Sequence, residues 1–180
     1  MESQQIRITP MEHSQTRDLN AANDPFPAPG RLVPTFLNHE WSVQEELFEV
    51  PYEIKFPNDK LNCDDYIGKS DKIIFLAYDQ DICVGQIRLV KDWNRMAYVE
   101  NIAIRQSHRS RGIGKRLFEA GEKWSLEQGL RGIMLEAQDD NLNACRFYLK
   151  QGMKLGGADT MKQTFNPKIG TTLYFYKILG

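Results

Sequence analysis

The fold is decided by two consecutive segments, YVENIAI at residues 98–104 and RQSHRSRGIGKR at residues 105–116. The first segment is apolar and rich in β-branched residues, which indicates a buried strand. The second carries two glycines and passes into apolar residues at helical spacing, Ile113, Leu117 and Phe118. The sequence therefore predicts a strand, a glycine turn and a helix in succession. Glycine lets the backbone approach a ligand closely, and the unpaired N–H groups of a first helical turn bind anions.

The predicted turn is strongly basic. Between residues 105 and 116 it holds no acid, and its cations are Arg105, Arg109, Arg111, Lys115 and Arg116. Phosphate is the ligand that we expect for such a turn. The glycine spacing is not the Gly-x-Gly-x-x-Gly of dinucleotide-binding proteins, and the Gly-Lys-Ser/Thr end of a P-loop is missing. Both of those nucleotide-binding motifs are therefore excluded.

Composition restricts the class of protein. A chain of 180 residues with 41% hydrophobic residues can form one globular domain with a substantial core. A net charge of −1 argues against nucleic-acid binding, which needs a basic surface. We find neither a membrane-spanning apolar run nor a signal segment, so we expect a cytoplasmic protein without a membrane partner. The three cysteines and three histidines are scattered, so we expect neither a disulfide framework nor a metal site.

The rest of the chain predicts an alternation of strands and helices. We expect no helix and no central strand in the proline-rich residues 20–34, and part of residues 32–48 has helical spacing. The predicted strands are 6–8, 73–78, 82–90, 96–104, 133–137 and 171–178. The predicted helices run from 112 to about 128, with Gly129 as the C-terminal cap, and from 141 to 150. This order is typical of an α+β domain with a largely antiparallel sheet.

Two segments together resemble the cofactor-binding motifs of the GNAT superfamily of acyl-CoA-dependent N-acyltransferases. The residues from Arg109 to Gly114 match its Arg/Gln-x-x-Gly-x-Gly/Ala motif. The sequence NLNACRFYLKQGM at residues 141–153 is similar to its Asn-x-x-Ala-x-x-φ-Tyr-x-x-x-Gly-Phe motif, where φ is apolar and Met153 replaces Phe. The resemblance covers about residues 73–178. It implies an α+β fold in which a mixed, mostly antiparallel sheet is flanked by helices.

The resemblance also implies that acetyl-CoA is the acyl donor and that no metal takes part. In the family, the turn and the helix start cradle the CoA pyrophosphate, and the pantetheine arm lies along the preceding strand, where backbone N–H groups polarise the thioester carbonyl. Polar residues of the second motif either contact the CoA arm or cap and solvate the helix. The implied cofactor-binding residues are Ile102, Ala103, Ile104, Arg109, Ser110, Arg111, Gly112, Ile113, Gly114, Lys115, Asn141, Asn143 and Arg146.

Two residues are candidates for proton transfer in one reaction centre. The resemblance makes Tyr148 the general acid for the CoA thiolate, and the alternative is an ordinary core aromatic. Glu100 is a carboxylate in an apolar strand, where an ionised group is costly unless it is paired or reaches water. The resemblance makes Glu100 the base that accepts the proton of the amine, and the alternative is a glutamate on the exposed side of the sheet. Glu136 is the second candidate base, or an anchor for a substrate ammonium group.

Within the superfamily, shorter segments resemble the streptothricin acetyltransferases. They are VENI at 99–102 preceded by Trp93 and Asn94, LEAQ at 135–138, GGAD at 156–159 and DDY at 64–66. Residues 40–65 also hold eight acids against two lysines, a block that either attracts a polycation or is a solvated surface. We therefore expect acetyl transfer to an amino group of a cationic small molecule, streptothricin, with Asp64, Asp65 and Glu136 binding the substrate.

Two other functions stay open at this stage. One is acetylation of a polyamine or a protein amino group, and the other is a non-catalytic CoA-binding module, which Tyr148 and Glu100 disfavour. We expect residues 1–180 to form a single acetyltransferase domain. Its cofactor-binding core lies at about 73–178 and its variable, acceptor-side region at about 1–72. The resemblance also allows a homodimer.

Overall fold

The computed structural model describes residues 6–180, so the first five residues of the predicted variable region lie outside the described residues. The strands are β1 Arg7–Pro10, β2 Phe26–Leu37, β3 Glu40–Ile54, β4 Lys72–Asp79, β5 Ile82–Lys91, β6 Met96–Ile104, β7 Gly132–Gln138, β8 Lys154–Asp159 and β9 Thr172–Ile178. The α-helices are α1 Ile113–Glu127 and α2 Leu142–Lys150, and short 3₁₀ helices occupy His13–Asp18, Cys63–Asp65 and Gln106–His108. Neither α-helix of this part of the chain is long and apolar enough to cross a bilayer. The predicted α+β class is confirmed.

The chain forms two compact units. Of the described residues, the first unit contains 6–25, Lys55–Ile133 and Ile178–Gly180, and the second contains Phe26–Ile54 and Met134–Lys177. The division into a core at 73–178 and a variable region at 1–72 stays a prediction.

The first unit consists of an antiparallel sheet and one helix. The strands follow one another in the order β1, β4, β5 and β6, and each neighbouring pair is antiparallel. Helix α1 packs against β4, β5 and β6 with its apolar residues, among which Leu117 and Phe118 are fully buried. The hairpin of β4 and β5 and the helix with its cap at Gly129, whose φ is +71°, agree with the predicted elements.

The second unit contains β7 from Met134 onwards, β8, β9 up to Lys177, helix α2 and the hairpin of β2 and β3. Strand β9 lies between β7 and β8, and it pairs antiparallel with β8. The sequence did not predict β8, because two glycines interrupt its apolar pattern. Helix α2 packs against β2.

The prediction that part of residues 32–48 is helical is wrong. This segment belongs to the β2–β3 hairpin, in which Leu37 pairs with Glu40 across a two-residue turn. Both turn residues, Asn38 and His39, have positive φ angles of 52° and 63°, as a type I′ turn requires. The prolines of β2 are tolerated because a two-stranded sheet leaves one edge of each strand without a ladder partner.

Candidate functional site

The glycine turn between β6 and α1 has the backbone of an anion-binding site. Ser110 and Gly112 have φ angles of +62° and +78°, and a Cβ atom on Gly112 would have no atom within 4 Å. Gly112 is the N-cap of α1, provides no side-chain cap, and is followed by no acid in the first turn. The helix N-terminus therefore presents unpaired N–H groups and a positive dipole end to an open space, and the positive φ angle of residue 112 favours glycine there.

Three predicted cofactor-binding residues lie at the exposed side of this turn. Ser110, Arg111 and Lys115 are exposed, and Lys115 pairs with Glu119 at 3.7 Å within the helix. Arg111 has no partner among the residues that the structure describes. Arg111 is thus the cation of the turn that is most available to a phosphate.

The side chain of Arg109 holds the turn in place. Its guanidinium donates hydrogen bonds to the carbonyl oxygens of Ile104 at 3.0 Å, Pro25 at 2.8 Å and Asp24 at 3.2 Å. The backbone N–H of Gln106 also donates to a carboxylate oxygen of Asp24, at 2.7 Å. The segment before β2 therefore braces the turn, which the sequence did not reveal because Asp24 lies far away along the chain. A contact of Arg109 with the cofactor stays a prediction.

The remaining predicted cofactor-binding residues, Ile102, Ala103, Ile104, Ile113 and Gly114, have no polar side chain, so their predicted contacts with CoA are backbone contacts and stay predictions. Ile113 is buried in the core of the first unit and Gly114 is half-buried. Ile102, Ala103 and Ile104 are half-buried and pair with β5 at Ile87, Gln86 and Gly85.

Glu100 occupies a β-bulge. On β5, Arg88 pairs with Asn101 and the next residue, Leu89, pairs with Val99, so Glu100 has no opposite residue and falls out of the register. A bulge bends the strand and re-aims the side chain that it carries. This is how a carboxylate is accommodated in an otherwise apolar strand.

Glu100 belongs to a polar cluster that we call the Arg88 cluster, formed by Arg88, Glu100, Asp59 and Tyr66. The guanidinium of Arg88 donates to Glu100 Oε2 at 2.9 Å and to Asp59 Oδ2 at 2.6 Å. The hydroxyl of Tyr66 donates to the same Oε2 atom at 2.5 Å. Glu100 Oε1 accepts no hydrogen bond from the described part of the chain, and 28% of the Glu100 side chain is exposed. The carboxylate is therefore oriented by two donors and keeps one oxygen free for a ligand.

The charges of the Arg88 cluster sum to about −1, because two carboxylates face one guanidinium. Arg88 itself is only 8% exposed, so it is committed to these partners. Burial, followed by the hydrogen bond to Glu100, raises the pKa of Tyr66, which therefore keeps its proton at neutral pH. The negatively charged cluster can bind an ammonium group, but Tyr66 cannot act as the base that removes a proton from it.

The predicted substrate-binding residues Asp64 and Asp65 are exposed. Asp64 pairs with His13 at 3.2 Å, away from the Arg88 cluster. Their neighbours Asp59 and Tyr66 enter the cluster instead. The structure shows which side chains of the acidic segment and its neighbours contact the Arg88 cluster. A substrate contact of Asp64 or Asp65 stays a prediction.

In the second unit, Tyr148 lies on α2 and is 7% exposed. Its ring packs edge-on against Phe147 and lies 5.7 Å from the ring of Phe175. Burial raises the pKa of its hydroxyl, so Tyr148 carries a proton at neutral pH, as a general acid must.

The polar side chains at α2 differ in their partners. Arg146 forms a two-pronged ion pair with Glu45 on β3, at 2.7 and 2.6 Å, and donates to Asn143 Oδ1 at 3.2 Å. Asn141 is the N-cap of α2 but makes no side-chain capping bond. The predicted CoA contacts of Asn141, Asn143 and Arg146 stay predictions. Glu136, on β7, is bonded by the ammonium group of Lys162.

Known acetyltransferases are similar to this chain over most of its length. Residues 35–153 match the acetyltransferase (GNAT) family. The chain is 34% identical over 169 residues to streptothricin acetyltransferase A of Bacillus subtilis (strain 168), which covers 94% of this chain and 97% of the relative. It is 32% identical over 140 residues to a streptothricin acetyltransferase of Escherichia coli, which covers 77% of this chain and 80% of the relative.

Solved structures agree with these similarities. A candidate streptothricin acetyltransferase from Bacillus anthracis str. Ames, in complex with acetyl coenzyme A, is 31% identical with a TM-score of 0.87, over 98% of this chain and 99% of that one. A nourseothricin acetyltransferase has a TM-score of 0.80 at 23% identity, over 97% of this chain and 99% of that one. The similarity to the nourseothricin acetyltransferase shows only that the two proteins share a fold.

Proposed function

The chain belongs to the acetyltransferase (GNAT) family, and we propose that it transfers the acetyl group of acetyl-CoA to an amino group of streptothricin or of a closely similar cationic antibiotic. The predictions of an acetyltransferase and of acetyl-CoA as its acyl donor are confirmed by the family match and by the similar structure that contains acetyl coenzyme A. The alternative of a non-catalytic CoA-binding module is therefore set aside.

One observation carries the proposed acceptor. Streptothricin acetyltransferases are similar to this chain over 94% and 77% of its length, so the similarity includes the region before β4 as well as the cofactor motifs. Acetylation turns an ammonium group of the antibiotic into a neutral amide. Inactivation of the antibiotic is the biological role that follows from this chemistry.

The glycine turn suits the phosphate groups of the acyl donor. The open space at Gly112, the uncapped start of α1 and the exposed Arg111 supply backbone donors and a cation without a competing acid. The backbone of Ile102–Ile104 is assigned to the pantetheine arm and the thioester carbonyl. Arg109 acts through the turn, which it fastens to Asp24 and Pro25.

Glu100 is assigned to the acceptor amine. The ammonium group must first lose one proton to become a nucleophilic amine. Acetyl transfer then forms a C–N bond and breaks a C–S bond, while the nitrogen loses a second proton and the departing thiolate gains one. The free Oε1 atom of Glu100 is available to an ammonium group, and Arg88 and Tyr66 fix the orientation of the carboxylate. In this assignment Glu100 accepts the proton of the amine, directly or through a water molecule.

Tyr148 is assigned to the thiolate. Its phenol stays protonated at neutral pH, because burial raises its pKa. The contacts of its ring with Phe147 and Phe175 hold the phenol ring in place. In this assignment the proton moves from the Tyr148 hydroxyl to the sulfur atom as the C–S bond breaks.

Thiol release from acetyl-CoA with a panel of amines tests the proposal. The panel contains streptothricin, spermidine, a peptide with a free N-terminus and a reaction without amine. We expect the highest kcat/KM with streptothricin, and mass spectrometry should find one added acetyl group on the antibiotic. A higher kcat/KM with spermidine or the peptide would replace the proposed acceptor by the second function that the sequence left open.

A further inference from the structure

The ammonium group of Lys162 forms an ion pair with Glu136, a predicted substrate-binding residue. The Lys162 Nζ atom donates to Glu136 Oε2 and lies 5.7 Å from the centre of the Tyr174 ring. Both the carboxylate and the ring face are good partners for an ammonium group. The contacts of Lys162 therefore describe a place that is built for such a group.

The backbone of Lys162 is anchored independently of its side chain. Asp159 Oδ1 accepts hydrogen bonds from the backbone N–H groups of Met161 at 2.7 Å and Lys162 at 2.8 Å. The Tyr174 hydroxyl bonds to the Asp159 side chain. Since the Lys162 ammonium hangs on a flexible four-carbon stem and 38% of the side chain is exposed, it can leave Glu136 without disturbing this turn.

From this arrangement we propose that Glu136, the Tyr174 ring and Asp159 form a subsite for an ammonium group of a polycationic acceptor, and that Lys162 occupies this subsite until the acceptor displaces it. The inference rests on the proposed function, because it specifies an acceptor that carries several ammonium groups. Displacement exchanges one ammonium group for another at Glu136, so this carboxylate keeps a cationic partner throughout. A single ammonium group binds a partly exposed carboxylate only weakly, so we expect a compound with one amine to gain little from this subsite.

Competition by Lys162 sets the size of the expected effect. While Lys162 occupies the subsite, the acceptor cannot use it. The apparent Kd of the acceptor is then its intrinsic Kd divided by the fraction of molecules in which the subsite is free. A partly exposed ion pair favours the occupied form modestly, so removal of the lysine should tighten binding roughly fivefold. Lys162→Met removes the ammonium and keeps an apolar stem of similar length.

Calorimetry without acetyl-CoA tests the subsite through the binding of streptothricin and spermidine, with n-butylamine as the single-amine probe. We expect Lys162→Met to lower Kd for the two multivalent probes roughly fivefold and to leave n-butylamine unchanged. Lys168→Met, in the same segment, removes the same charge away from Glu136 and should change none of them. Glu136→Gln should raise Kd for the multivalent probes.

Two results would overturn the subsite. One is a Kd for the multivalent probes that is unchanged or raised in Lys162→Met, and the other is an equal gain in Lys168→Met, which would indicate a general charge effect. If Lys162→Met leaves Kd unchanged and lowers only the melting temperature, the first of these results is obtained and the ion pair of Lys162 and Glu136 is structural. Turnover of streptothricin by the wild-type protein tests the proposed function separately, because the calorimetry needs no acetyl transfer.

Discussion

The substitution Gly112→Asp tests the phosphate site at the start of α1. It places a carboxylate in the space that Gly112 leaves open, where a new Cβ meets no atom within 4 Å. The φ angle of +78° strains any side chain at this position, whatever its charge. Gly112→Asn is therefore the matched control, because Asn and Asp tolerate a positive φ equally and have nearly the same size.

The magnitude follows from the charges. A carboxylate about 6 Å from a phosphate, at an effective dielectric constant of about 20 to 40, is repelled by about 1.4 to 2.8 kcal/mol. This repulsion weakens acetyl-CoA binding by about ten- to a hundredfold relative to the asparagine variant. The strain at position 112, on the order of 1 kcal/mol, affects the two variants alike.

Calorimetric titration with acetyl-CoA at low and high salt measures the difference. We expect Gly112→Asn to bind more weakly than the wild-type protein and Gly112→Asp to bind much more weakly than Gly112→Asn. Salt should narrow the difference between the variants, because the turn is exposed and its charges are screened. Equal affinities of the two folded variants would refute the assignment, since the charge at position 112 would then not reach the phosphates.

Three further substitutions test the roles of single groups. Tyr148→Phe should lower kcat by roughly 10²-fold or more and leave acetyl-CoA affinity and melting temperature near normal, because the ring keeps its contacts; a normal kcat would remove Tyr148 as the acid. Glu100→Gln should lower the rate of acetyl transfer most at neutral pH, and the rate should recover partly as pH rises because the amine then loses its proton to solvent. A wild-type pH profile would favour Glu136 as the base. Burial raises the pKa of Asp139 above its usual 3.8, so the stability that its protonated form contributes is present at low pH and lost as pH rises. Urea unfolding should therefore show that the free energy of unfolding of Asp139→Asn increases relative to that of the wild-type protein from about pH 4 upwards. A difference in unfolding free energy that does not change with pH would contradict this.

The sequence predicted those elements whose signals are local. Helix α1 has apolar residues at helical spacing and glycines at both ends, and the β4–β5 hairpin has two apolar runs around a short polar turn. The β2–β3 hairpin was missed because Asn38 and His39 form a two-residue turn without glycine, while the flanking apolar residues also fit a helical period. Hydrophobic periodicity cannot predict the secondary structure of a segment that fits both a helical and a strand period. The structure of such a segment depends on whether a partner strand pairs with it.

The bulge at Glu100 could not be predicted from β6 alone. A bulge is a mismatch between two strands, and it exists only in the register of Val99 and Asn101 against Leu89 and Arg88. The sequence showed that a carboxylate in this strand needs a partner, but the partner lies on β5. Only the paired sheet identifies Arg88.

The acidic segment before β4 illustrates what charge composition can and cannot predict about an acceptor site. Its excess of acids indicated that this part of the chain would suit a cation, and Asp64 and Asp65 were the adjacent pair that attracted attention. In the structure these two face solvent, whereas Asp59 and Tyr66, which lie on either side of them, join Glu100 at the Arg88 cluster. Neighbouring residues of an irregular segment point in different directions, so composition predicts the sign of the charge but not the side chains that deliver it. Since Arg88 neutralises only one of its two carboxylates, the remaining negative charge is what an acceptor ammonium group can bind.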